Sequence, residues 1–291
     1  MAEASIPVEL FNPGQVFACL GFLEAAEVLL GDAEGGFEWG DGSNVAAFRL
    51  SSAGQKNPFA TAIEFVLNAE VRWFSPLPNL TERDGGATEV QERLSNSLDV
   101  KAADLPAALY GEFENRPVEL RIGHYWSDGT SRFSTTFKKS TNGASSHIRF
   151  ENAREGIRSL WRDARDNLIV DPLTLSTSTE SLFRLDPQGF TEPINAGTSP
   201  DTLRKGGIHT RVASRPTCEA FAVAGLEYAR PHRIDARSFR YYVWRDILPP
   251  SLARAGLGTP LPFAGTRGFR AEHDEVKKGG DRKLLYVHEE L

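Results

Sequence analysis

Six histidines and two cysteines are the first side chains to weigh for chemistry, and their spacing is unhelpful to most of it. His124, His147, His209, His232, His273 and His288 form neither HExxH nor HxH, the spacings that seat a metal on one helix or strand. His124 and Asp128 share the run Gly123-His124-Tyr125-Trp126-Ser127-Asp128-Gly129 and could face one side of a strand entering a turn, but no third ligand or catalytic partner accompanies them. His273-Asp274 stands alone in a charged stretch and reads as solvated surface. There is no GxSxG elbow and no GxxxxGK[ST] loop; Gly206-Gly207 beside Arg204-Lys205 is only a weak phosphate signal. Cys19 falls inside an apolar segment and Cys218 is 199 positions away, so neither a disulfide framework nor a zinc ribbon is expected. No catalytic constellation, cofactor or metal site emerges.

Charge is more informative. The 291 residues carry a formal net charge of −6, unevenly distributed. Residues 1–199 hold 17 Lys/Arg against 28 Asp/Glu; residues 203–270 hold 12 basic side chains against four acidic, and eleven of the twelve are arginine. A guanidinium fork meets phosphate oxygens at two points and stacks on bases. The same arginines could instead pair with the acidic half of the chain, and both readings stay open at this stage.

The elements that must position these groups read as α+β. At 40% apolar and 25% charged the chain has the composition of a folded soluble protein, long enough for one large or two intimate domains. Ser5 to Phe11 reads as a strand. Asn12-Pro13-Gly14-Gln15 then supplies an N-cap, a proline at the first helical position and a glutamine three after the cap. Val16 to Leu30 is apolar on nearly every face, with Gly31 as its stop, so the helix at 13–30 is expected to be buried and Gly21 to be a packing residue. The apolar run, interrupted by Glu24 and Glu27, is read as too short for a bilayer, and Met-Ala-Glu-Ala-Ser lacks a signal-peptide pattern; a cytoplasmic, reducing location is expected.

Gly35–Trp39 and Val45–Ser51 form a hairpin across an Asp-Gly turn, and Asn57-Pro58 opens a second helix. Thr88 to Tyr110 leans helical. Pro117–Trp126 and Arg132–Lys138 read as a β pair, Glu151–Leu168 as an amphipathic helix, Pro216–Tyr228 as a second apolar helix, and Phe239–Ile247 as an aromatic-rich strand. Short strands follow near 263–269 and 284–287. The expected organisation is an acidic α+β region over 1–150 and a helix-rich to mixed region over 151–291 containing the basic block: antiparallel hairpins packed on buried helices.

Three blocks carry a resemblance. IPVELFNPGQVFACLGFLEAAEVLLG with the following Gly36-Phe37-Glu38-Trp39 hairpin resembles the N-terminal region of CRISPR-associated subunits of the type I-U (also called I-G) interference module. HYWSDG…FKKSTNGASS is similar to that family's Trp-containing strand followed by a lysine and a small-residue loop, with Tyr125-Trp126 where the family usually has two tryptophans. PTCEAFAVAGLEYARP is similar to its second apolar helix ending in Arg-Pro. None of the three blocks is a strict catalytic signature. The resemblance implies a non-catalytic subunit of a crRNA-guided surveillance complex (Cascade), whose partners are other Cascade subunits and crRNA or target DNA. Guide pairing reads sequence in such complexes while protein cations hold backbones. Lys138, Lys139, Asn142, Arg204, Lys205, Arg211, Arg215, Arg230 and Arg233 are then the expected backbone contacts. Phe239, Tyr241, Tyr242 and Trp244 could stack bases, though strand aromatics more commonly fill a core. The alternative is a protein-only bridging subunit that recruits the effector helicase–nuclease.

Overall fold

A computed structural model describes residues 1–40, 45–73, 107–122, 145–179, 185–187, 212–235, 238–273 and 284–290. The architecture is α+β, with helices packed on small antiparallel sheets.

The chain opens with β1 (Ala2–Glu9), α1 (Pro13–Leu30), β2 (Glu34–Trp39) and β3 (Val45–Ser52). β3 lies between β1 and β2 and runs antiparallel to both, pairing Ile6 and Phe37 with Phe48. α1 therefore crosses between two parallel strands split by a third. Its start follows the expected capping device: the Gln15 N–H donates to Asn12 Oδ1 at 3.3 Å, while Gln15 Oε1 reaches back to accept from the Glu9 N–H at 2.9 Å.

α1 is buried on every face because a second helix covers the side away from the sheet. α2 (Pro58–Asn68) and β4 (Glu70–Trp73) follow, then β5 (Ala107–Phe113), β6 (Arg116–Arg121), α3 (Ser145–Val170), β7 (Thr177–Thr179), β8 (Val212–Ser214) and α4 (Pro216–Tyr228). α4 is that covering helix. A Cβ on Gly21 would stand 1.9 Å from the Phe221 carbonyl oxygen, and one on Gly225 would stand 2.0 Å from that of Phe17. Phe22 stacks on Phe221 with centroids 3.7 Å apart. Both helices carry Phe-Ala-x-x-Gly (Phe17 to Gly21, Phe221 to Gly225) and each seats its glycine on the other's phenylalanine, a local two-fold arrangement.

The helix proper, at 18 residues, is longer than the apolar run read from sequence, and by length and composition it would pass for a membrane span. Its 83% burial inside the fold marks it instead as a core helix. Glu24, on this helix, is 1% exposed and accepts both arms of Arg254 at 2.6 Å.

Residues 107–110 correct the helical expectation. They belong to β5, which pairs with β4 on one side and β6 on the other. The connection is a two-residue loop, Glu114-Asn115, with φ of 50° and 63°, the left-handed pair of a type I′ turn. β6 therefore pairs back to β5; the expected partner strand at 132–138 lies outside the described residues.

The last sheet has the order β12-β11-β10-β9, from β9 (His232–Arg233), β10 (Ser238–Val243), β11 (Arg267–His273) and β12 (Leu284–Glu290), with α5 (Pro250–Gly258) between β10 and β11. β10 is shorter than the strand expected over 239–247. After it the chain turns to bond β2: the Gly35 N–H donates to Leu248 O at 2.8 Å and the Phe37 N–H to Trp244 O at 2.9 Å. One continuous core draws on both 1–150 and 151–291, with Phe17 edge-on to Tyr241 at 6.0 Å.

Candidate functional site

The nine residues expected to touch a nucleic-acid backbone divide by position. Lys138, Lys139, Asn142, Arg204, Lys205 and Arg211 lie outside the described residues, as do His124 and Asp128. Arg215, Arg230 and Arg233 are described, and each has an internal acceptor. Arg215 precedes α4 and donates at 3.3 Å to Asp186, whose side chain is fully buried. Asp186 also accepts from Asn12 Nδ2 at 2.7 Å, and its N–H donates to Glu219 Oε1 at 2.9 Å. The beginnings of α1 and α4 are thus tied through one buried carboxylate. Arg230 donates to the Leu226 carbonyl in the last turn of α4, and burial lowers its pKa from the ordinary arginine value. Arg233 donates to Asp235 O at 3.0 Å. Asp186→Asn keeps the shape of the tie but removes its charge, and is expected to lower stability by about 1.5 kcal/mol in a urea titration.

The remaining described arginines of the block follow a similar pattern. Arg254 holds Glu24; Arg267 grips Glu289 at 2.6 and 2.5 Å; Arg240 donates to Glu290 at 2.8 Å; and Arg270 lies 3.1 Å from Glu272. Arg245 lies over the Trp39 ring at 4.8 Å. Arg215 and Arg254 thus pair with carboxylates of the acidic 1–199 region, as one of the two sequence readings has it, whereas Arg240, Arg267 and Arg270 pair with glutamates of the C-terminal region itself.

The register of the last sheet organises what remains. Along β10, Phe239, Tyr241 and Val243 point into the core, so Arg240 and Tyr242 stand on the outer face. Arg240 is directly opposite His232 on β9 and Arg270 on β11, and Arg270 is directly opposite His288 on β12. Directly paired residues share a face, which makes His232, Arg240, Arg270 and His288 one row across all four strands. The two arginine side chains are each 33% exposed, and both histidines are exposed. Like charges directly opposite in a sheet are unfavourable. Glu290 and Glu272 offset this pair from either side; hydrogen bonding from Arg240 holds the Glu290 carboxyl below its usual range, and Arg267 does the same to Glu289.

The adjacent row is Tyr242, Gly268 and Glu290. The Tyr242 ring lies beside Gly268, where a Cβ would be 2.8 Å from Cε1. These groups floor an open depression of about 630 Å³ walled by Pro260 and Thr266. The wall is rigid: Thr266 Oγ1 donates to Leu261 O at 2.8 Å and accepts from the Leu261 N–H at 3.2 Å. The same loop carries Phe263, 63% exposed.

Comparison with protein-family models, with curated proteins and with solved structures returns no match. The site therefore rests on its own chemistry. Burial raises the Cys19 and Cys218 thiols well above their ordinary pKa, which keeps both protonated and poorly nucleophilic. Among the described residues no group of three or more His, Cys, Asp and Glu could hold a metal ion. What the outer face offers is two arginines and two exposed histidines in line beside an aromatic-floored depression, an arrangement for binding. Of the four aromatics weighed as stacking groups, Phe239, Tyr241 and Trp244 are fully buried and Tyr242 alone reaches this surface. The row itself was not singled out from sequence. The alternation of residues 239–243 signals that Arg240 and Tyr242 share a face; aligning His232, Arg270 and His288 with them requires the strand register.

Proposed function

We propose that the chain is a cytoplasmic, non-catalytic, nucleic-acid-binding subunit of a crRNA-guided surveillance complex of the type I-U (I-G) kind, as its resemblance implies. The observation that carries the binding role is the His232–Arg240–Arg270–His288 row, in which two arginines, each beside a carboxylate, stand between two exposed histidines on one sheet face, a track along which an anionic backbone can lie. The resemblance supplies the assembly. Two of its three blocks contain α1 and α4, the helices that cross through Gly21 and Gly225 at the centre of the fold.

Binding of a fluorescent 20-nucleotide RNA at several salt concentrations tests the track. Replacing both Arg240 and Arg270 with glutamine is expected to flatten the slope of log K against log salt by about 1.4, at roughly 0.7 per lost single-strand phosphate contact. An unchanged slope and affinity would remove the track from the account. Arg215 is a poor probe for this purpose, because its loss would take a charge partner from the buried Asp186.

A second reading, the protein bridge that recruits the helicase–nuclease, is favoured by a specific observation: Arg215, Arg240, Arg254, Arg267 and Arg270 already have carboxylate partners within the chain. On that reading the glutamine variants would leave RNA affinity untouched and release a protein from the assembled complex.

A further inference from the structure

We infer that the depression beside the cationic row receives an unpaired nucleobase, so that the strand this face binds is single-stranded, and that bases carrying an exocyclic amino group are preferred there. The inference rests on the nucleic-acid reading above and adds a ligand class and a specificity to it.

Two features distinguish this depression from a simple phosphate cradle. Its floor includes the Tyr242 ring, whose Cε1 lies 2.8 Å from where a Cβ on Gly268 would stand, so the ring fills the space beside that glycine. Every nucleobase has a π-face able to stack on such a ring, whereas a base inside a duplex has both faces occupied. One carboxylate, that of Glu290, stands on this face: Glu290 is opposite Gly268, whereas Glu289 is opposite the core residue Phe269 and projects from the other side. Arg240 and His288 line the same depression, so a base seated there has its phosphate beside the row. Glu290 is bonded by Arg240, but an ionised carboxylate has about four acceptor positions and retains some beyond that bond. Free carboxylate lone pairs accept from amino donors, as in the pairing of Glu with cytosine N4. Adenine, cytosine and guanine present such a group; uracil and thymine do not.

The volume and the rim agree with this occupant. A space of about 630 Å³ lies within the range of small-ligand clefts. Its wall is held by the two Thr266–Leu261 hydrogen bonds, so the shape exists before any ligand arrives. Arg240, bonded to Glu290 and itself lining the depression, joins the row to it, placing backbone and base sites next to each other on one face.

The test is fluorescence anisotropy of the full chain with 20-nucleotide oligo(C), oligo(U) and a mixed-sequence RNA duplex at one fixed salt. Oligo(C) is expected to bind about tenfold more tightly than oligo(U), and both more tightly than the duplex. Tyr242→Ala is expected to weaken oligo(C) at least fivefold while Tyr242→Phe stays within twofold, and circular dichroism checks that each variant keeps its fold. Gly268→Val, which drives a side chain into the ring, provides an independent second variant with the same expected loss. If Tyr242→Ala and Gly268→Val both bind oligo(C) like the parent, or if the duplex binds as well as the single strands, the base site is wrong while a backbone track survives. If the parent binds no nucleic acid even at 20 mM salt, the nucleic-acid reading itself falls, and the base site with it.

Discussion

Gly225→Ala is expected to cost at least about 3 kcal/mol and to leave little soluble protein, although it adds a single methyl group. The new Cβ would lie 2.0 Å from the Phe17 carbonyl oxygen. A flexible side-chain tip could swing away from that position, but a helix backbone cannot. α1 and α4 would have to separate along their crossing, opening the Phe22–Phe221 stack in an interior packed as densely as a crystal. Gly21→Ala meets Phe221 O at 1.9 Å and should behave alike. Against a typical total stability of about 5–15 kcal/mol, either change is severe. Gly54→Ala is the control. Gly54 has a φ of +80° with open space around it, so its cost is backbone strain alone, about 1 kcal/mol. Urea midpoints of the three variants check this, and a Gly225→Ala protein within 1 kcal/mol of the parent would contradict the crossing.

The second large effect is an asymmetry. Arg254→Ala is expected to destabilise by about 3 kcal/mol, because it takes the charge partner from the Glu24 carboxylate in the middle of an apolar helix. Glu24 is 1% exposed, whereas its partner is 41% exposed and rests on the Tyr228 ring at 5.1 Å. Glu24→Gln therefore costs less, about 1 kcal/mol, since a freed Arg254 can hydrate. The double variant Glu24→Leu with Arg254→Ala should recover most of the loss, because no buried charge remains. Thermal or urea unfolding of the three proteins decides the matter. Equal losses from the two single changes would mean that the pair acts as an ordinary surface contact.

Local signals account for what was legible in the sequence. Asn12-Pro13 and Gly31 bound α1 and Pro216 opens α4, each through chemistry confined to a few neighbouring residues, and β2 pairs with β3 as expected, while the Asp-Gly turn between them lies outside the described residues. Gly21 reads correctly as a packing residue, but not which backbone approaches it; that requires Gly225, 204 positions later. β5 is missed because its turn uses Glu114-Asn115 instead of an Asn-Gly pair, and because pairing with β4 and β6 outweighs the helical leaning of 107–110. The buried tie through Asp186 is likewise invisible locally, since its partners Asn12, Arg215 and Glu219 come from two distant helix starts.

The candidate site shows the same division. Counting arginines locates the basic block, yet strand register decides which described members stand in the surface row, and Arg240 and Arg270 there also pair with Glu290 and Glu272. His232 and His288, 56 positions apart and unremarkable in isolation, become the two ends of one line once β9 to β12 are aligned. Charge composition is a property of the whole chain, whereas a binding face is a property of which residues stand opposite one another.

The most direct test of the central claim is to purify the tagged chain from cells that also express its neighbouring genes, and to sequence any RNA that accompanies it. The account predicts a stoichiometric multi-protein complex carrying short RNAs of uniform length and repeat-derived ends. Recovery of the chain alone, free of RNA and of partner proteins, would contradict it.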